Sequence, residues 1–181
     1  MPLELFGIKV NLKSLSEIEI PLLWEMIYGQ ESPEWKRWDA PYFPLERKTL
    51  EEYKASVNRD TGYDAIAKFG IWNSEKLIGT VGYYWEHKPS NWLELGVSIY
   101  PKQYWSKGYG SEALKLWITH LFDTMPIVRV GLTTWSGNER MIKCAEKLGM
   151  LQEARLRKCR FWQGVYYDSI RFGVLREEWN S

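Results

Sequence analysis

The sequence predicts a mixed α/β fold, and three observations carry that expectation. Segments of alternating apolar and polar residues recur along the chain, the mark of strands with one wet face. Between them lie stretches with apolar residues three and four apart, the mark of amphipathic helices. A strand-like stretch, Trp92 to Tyr100, leads through a two-glycine turn into a helical pattern and then a second strand, Val128 to Thr134. That order is a parallel crossover unit.

Taken in order, Ile8, Val10 and Leu12 alternate with Lys9, Asn11 and Lys13 and predict a strand. Ser16 with Glu19 reads as a capping box, followed by a helical stripe of Leu22, Leu23, Met26 and Ile27. From Gln30 to Leu45 three prolines and four aromatic residues predict a loop or short broken helix. Glu46 to Arg59 predicts a helix with Leu50, Tyr53 and Val57 inward. Strands are expected at Ala65 to Trp72 and Leu77 to Trp85, joined by a turn at Asn73 to Lys76, with another turn at Lys88 to Asn91. Gly110 to Phe122 reads as a helix with Ala113, Leu114, Trp117, Ile118 and Leu121 on one face. A helix from Asn138 to Leu148 ends at Gly149, a suitable residue for a left-handed helix stop. Two final strands, Ala154 to Trp162 and Val165 to Leu175, flank a Gln163-Gly164 turn.

A chain of 181 residues without repeat or linker is expected to form one domain, residues 1–181, with a core of its own. Lysine and arginine number 24 against 23 acidic residues, so no basic groove for nucleic acid is expected. No apolar run approaches the ~20 residues of a membrane span, and the first residues do not resemble a signal peptide. Cys144 and Cys159 form no metal spacing and no disulfide framework. A cytoplasmic protein without a metal is the expectation. The aromatic load, with 11 Trp and 11 Tyr, fits a core, a ligand cleft or an interface equally well.

The glycine turn is the feature with chemical content. Gly108 and Gly110 permit tight backbone geometry, and the following helix offers free N–H groups and the positive end of its dipole. Such a site suits a phosphate or pyrophosphate, with Lys107 adding charge. The P-loop pattern is absent. A dinucleotide fingerprint would place an acidic residue at the end of the next strand, where Leu132-Thr133-Thr134 stands.

The residues around the turn resemble the GCN5-related N-acetyltransferase (GNAT) superfamily, and within it the RimJ/RimL-like ribosomal-protein N-acetyltransferase branch. Pro101 to Ala113 is similar to that branch's glycine-turn pattern, with Trp105 in place of the usual Gln or Arg. Asn138 through Glu146-Lys147-Leu148-Gly149 resembles its next helix, Gly164 to Asp168 its late hairpin, Glu178-Trp179 its closing element and Asn11-Leu12-Lys13 its opening strand. The resemblance implies a mostly antiparallel sheet of six to seven strands, a splayed parallel pair at the coenzyme site and helices on both faces.

It further implies an enzyme that moves an acetyl group from acetyl-CoA to a primary amine, on a protein N-terminus or a small molecule. With catalytic groups lost, the same scaffold would be an acetyl-CoA sensor or interaction module. A homodimer is compatible with either. The backbone of Ser98, Ile99 and Tyr100 would pair with the pantetheine arm. Trp105, Ser106, Lys107, Gly108, Tyr109, Gly110 and Ser111 would bind the pyrophosphate, and Asn138 would contact the pantetheine region. Trp35, Trp38 and Tyr42, with Phe43, match the region that shapes the acceptor site. Only about one α-amine in ten, and about one lysine amine in several thousand, is neutral at pH 7, so the acceptor needs a base. Glu94, among Trp92, Leu93, Leu95 and Val97, is the candidate, with a structural ion pair as its other reading. Ala145 stands where the family's thiolate-protonating tyrosine is usual, leaving Tyr100, Ser136 or water for that role.

Overall fold

The computed structural model describes residues 4–59 and 67–179. Eight strands form one sheet: β1 (Glu4–Phe6), β2 (Asn11–Ser14), β3 (Ala67–Asn73), β4 (Lys76–His87), β5 (Trp92–Ile99), β6 (Arg129–Trp135), β7 (Leu151–Trp162) and β8 (Val165–Leu175). Their order across the sheet is β1-β2-β3-β4-β5-β6-β8-β7. Every neighbouring pair is antiparallel except β5 and β6. The helices are α1 (Glu19–Tyr28), α2 (Leu50–Arg59), α3 (Tyr109–Thr124), α4 (Glu139–Lys147) and α5 (Arg176–Trp179).

The sheet is covered on both faces because its strands alternate. Ile78, Val81, Leu93 and Leu95 point to one side, where they meet Leu114, Trp117, Ile118 and Leu121 of α3. Leu77 and Tyr100 point to the other, against Ile20, Leu23 and Ile27 of α1 and Tyr53 of α2. The helix from β5 back to β6 is α3, as a parallel crossover requires. At the far end of α3 the Arg176 guanidinium donates to the carbonyls of Phe122, Met125 and Ile127. Trp179 Nε1 donates to Thr119 Oγ1 at 3.0 Å. The closing Glu178-Trp179 stretch thus belongs to an anchor on α3.

Four expectations are corrected. Ile8, read as part of a strand, is 98% exposed in a turn between β1 and β2. The Glu112 carboxylate of α3 takes the N–H groups of Lys9 (2.7 Å) and Val10 (3.2 Å), breaking the ladder there. The short β1 then adds an eighth strand to the expected six or seven. Leu22 faces solvent at 56% exposure, because Ile20, Leu23 and Ile27 set the buried phase of α1. The next helix starts at Leu50 rather than Glu46, at a capping box. Thr49 N–H donates to Glu52 Oε2 (2.7 Å), and Glu52 N–H to Thr49 Oγ1 (3.2 Å). Ala65, the expected start of the following strand, lies outside the described residues.

Candidate active site

The parallel pair holds together at only two register positions, Leu93 with Val130 and Glu94 with Gly131. Beyond them β5 continues along β4 and β6 continues along β8, so the two strands part. The gap opens into a cleft of about 420 Å³, walled by Gly96 to Ile99 of β5 and Leu132 to Trp135 of β6.

Register decides which peptide groups face the gap. Tyr100 N–H donates to the Ile78 carbonyl of β4 at 3.0 Å. In an antiparallel pair, residues bonded across the pair alternate with residues whose peptide groups point away. Ser98 and Tyr100 therefore spend their peptide groups on β4, and Val97 and Ile99 turn theirs toward the gap. The Ile99 carbonyl is occupied by Trp105 Nε1 at 2.6 Å. Val97 was missed by sequence reasoning, since alternation tells which side chains share a face but not which neighbour takes the peptide bonds.

One end of the cleft is the glycine turn. Gly108 caps α3 with φ of +87°, and Ser106 before it has φ of +57°. The first main-chain bond of α3 runs from Glu112 N–H to the Gly108 carbonyl at 3.0 Å. The N–H groups just before it lack intrahelical partners, which makes this end receptive to an anion. Trp105, Ser106, Gly108, Tyr109, Gly110 and Ser111 line the cleft, but the Lys107 side chain does not. A cation from elsewhere in the chain, Lys9, approaches the turn, its Nζ donating to the Lys107 carbonyl at 2.8 Å. A Cβ on Gly108 would stand 3.3 Å from that ammonium. No local signal could have placed Lys9 here, nearly a hundred residues away in sequence.

The aromatic loop closes over the cleft, and Trp35, Trp38 and Tyr42 all line it. The Trp38 carbonyl accepts from Trp135 Nε1 (2.9 Å) and Asn138 Nδ2 (3.0 Å). Asn138 Oδ1 meanwhile accepts from Met141 N–H at 3.2 Å, so this side chain caps α4 and holds the loop at once. The Arg140 guanidinium lies over the rings of Trp38 (4.0 Å) and Trp105 (4.5 Å). Trp105, standing in the place of the usual Gln or Arg, meets Trp38 edge-on at 6.4 Å between ring centres, with the Arg140 guanidinium against both rings.

Neither catalytic candidate lines the cleft. Glu94 is 1% exposed. It accepts from Thr133 Oγ1 (2.5 Å) and the Tyr84 hydroxyl (3.2 Å), and Arg171 Nη1 lies 3.5 Å away. Thr133 and Tyr84 do line the cleft, so Glu94 sits one hydroxyl behind its wall. The Tyr100 hydroxyl is 3.2 Å from Thr80 Oγ1, and its ring packs edge-on against Trp35. Burial pushes the Tyr100 phenol up to about 12, with the nearby negative charge of Asp39 adding to it. The structure thus places neither the peptide N–H nor the hydroxyl of Tyr100 at the cleft. Ala145 is fully buried in the core, and Cys144 beside it lines the cleft with Ser111 Oγ donating to its sulfur at 3.1 Å.

Residues 11–151 match the family model of the acetyltransferase (GNAT) domain. The chain belongs to the GNAT acetyltransferase family. It is similar to the uncharacterized N-acetyltransferase YnaD of Bacillus subtilis (strain 168), at 30% identity over 141 residues, 77% of this chain and 81% of that protein. The spermidine N-acetyltransferase of Vibrio cholerae, solved with CoA and spermine, shares the fold with a TM-score of 0.80. It is 16% identical and matches over 96% of this chain and 99% of that one. RimL, a ribosomal alpha-N-protein acetyltransferase in complex with coenzyme A, shares it with a TM-score of 0.75 at 15% identity, over 96% and 98% of the two chains. As a GNAT member the protein is an N-acetyltransferase.

Proposed function

We propose that the protein transfers the acetyl group of acetyl-CoA to a primary amine by direct attack on the thioester, with residues 1–181 working as one catalytic domain. The observation that carries this reading is the gap between β5 and β6, with the peptide group of Val97 and the N–H of Ile99 turned away from β4 and the capped start of α3 at its end. The solved neighbours from Vibrio cholerae and RimL both hold coenzyme A, which supports the same ligand here. Balanced charge and two unpaired cysteines favour a cytoplasmic setting.

In this reading the turn from Trp105 to Ser111 takes the pyrophosphate, with Lys9 supplying charge, and Val97 and Ile99 pair with the pantetheine arm. The thioester brings a carbonyl carbon open to attack and a thiolate leaving group. A backbone N–H in the gap stabilises the negative charge that grows on the carbonyl oxygen. The amine nitrogen forms the new C–N bond as the C–S bond breaks. The amine's proton passes to the hydroxyl of Thr133 or Tyr84, and the proton of that hydroxyl passes to Glu94. Water, or one of the tyrosines on the wall, returns a proton to the departing sulfur. Trp35, Trp38 and Tyr42 hold the acceptor.

A second reading, a coenzyme-sensing module, draws on Glu94 standing behind the wall and on Ala145 in the core. A coupled thiol-release assay over a panel of amines, run beside calorimetric titration with acetyl-CoA, separates the two. Amine-dependent thiol release is the expected result. Tight binding without release on any amine would favour the sensor.

A further inference from the structure

Three charged side chains line the cleft: Asp39, Arg140 and Arg160. Among the described residues, none of the ion pairs includes any of them. Arg140 is held at the glycine-turn end between two indoles. Arg160 lines the same cleft. It follows the irregular stretch of β7 and lies over the rings of Tyr42 (5.1 Å) and Phe43 (5.6 Å). Its Nη1 donates to the Cys159 carbonyl at 3.4 Å, while its Nε is buried without a hydrogen-bond partner. A buried donor on a charged group is costly to leave unmade, and a guanidinium fork matches a carboxylate in shape and charge. Asp39 lines the same cleft, so its lining carries both signs of charge.

We infer that the acceptor amine carries a carboxylate beside it, as a free amino acid does, with Arg160 binding the carboxylate and Asp39 drawing the ammonium. This rests on the acetyl-transfer reading and adds the substrate class to it. Tyr42, Phe43 and Trp135 leave an apolar wall for the acceptor's side chain. A polyamine would meet two guanidinium groups and one carboxylate, an unfavourable balance. A protein N-terminus offers an amide where Arg160 expects a negative charge.

The test compares acceptors matched except for that charge. L-phenylalanine, L-methionine and L-glutamate are assayed against their α-carboxamides, with spermidine and a peptide amide alongside. The carboxamides have the less basic amines, so intrinsic reactivity near neutral pH favours them. The expected result is kcat/KM for a free acid at least ~tenfold above its carboxamide, as a site built for a polar group rejects the analogue lacking it. Arg160→Gln should bring that ratio near one, mainly through KM for the acid, and Arg160→Lys should retain part of it. The ratio is internal to each variant, so loss of folded protein cannot imitate the result. Equal use of acid and carboxamide, or preference for spermidine or the peptide, overturns the inference and leaves acetyl transfer standing. Titration of the same pairs into the coenzyme A-loaded protein separates the remaining case. Carboxylate-dependent binding without turnover keeps Arg160 as the acceptor's anchor and removes the enzymatic reading. Absence of both binding and turnover removes the two together.

Discussion

Single residues decide whether the cleft can take its ligands. Gly108 needs a left-handed backbone that costs other L-residues about 1–2 kcal/mol, and a side chain there would enter the anion-binding end beside Lys9. Gly108→Glu should therefore abolish acetyl-CoA binding in calorimetric titration, since its carboxylate would take the place of the pyrophosphate. Unchanged affinity would move the coenzyme elsewhere. The necessity of a glycine was readable in the sequence; the company of Lys9 was not, because only folding brings β1–β2 to α3. For the base, Glu94→Gln and Thr133→Val should lower kcat/KM alike, by about 10²- to 10⁴-fold. The loss should be greatest at low pH, where neutral amine is scarcest, and should shrink toward the amine's own pKa. Identical pH–rate profiles for both variants and the parent would leave Glu94 as a structural partner of Arg171.

Among the elements, the β7–β8 hairpin shows how a recognisable motif acquires a physical role. Gln163 (φ +47°) and Gly164 (φ +79°) make the tight turn that their sequence predicts. Asp168 then pins the irregular stretch of β7 from across the hairpin. Its carboxylate accepts from Lys158 N–H (2.8 Å) and Arg155 Nε (2.6 Å), and Lys158 itself has φ of +54°. Those bonds hold the Asp168 carboxyl below the usual carboxylate range, the Lys158 amide first. A lowered folded pKa means that this support is full above the ordinary value of about 4 and is lost as pH falls through the lowered one. Hydrogen exchange should show the Lys158 amide losing protection on such acidification, and at neutral pH in Asp168→Ala. Protection that survives in the variant would show that the irregular stretch holds itself. Arg160 follows directly after this stretch, so the motif's aspartate also orients a residue of the cleft.

Across the whole molecule, α3 couples the core to the coenzyme end. Trp117 is buried against Phe69 (4.7 Å between ring centres), Tyr83 and His120, and so ties α3 to β3 and β4. Trp117→Ala should cost about 3–5 kcal/mol in denaturant unfolding, because it leaves a cavity under the helix that carries the glycine turn. A change under about 1 kcal/mol would mean that the surrounding rings collapse into the space.

The sequence by itself determined the kinds and order of most elements, the glycine turn, the Gly149 stop and the family resemblance. Those features rest on backbone preference and periodic burial, which act within a few residues of chain. Only the tertiary structure decided that Val97 and Ile99, rather than Ser98 and Tyr100, face the gap, because strand register sets the direction of peptide groups. It also sealed Glu94 behind Thr133 and Tyr84, brought Lys9 to the turn and set Arg160 over Tyr42 in the cleft that Asp39 also lines. Each of these joins segments far apart in sequence, and the packing of the sheet against its helices and loop is what brings them within reach.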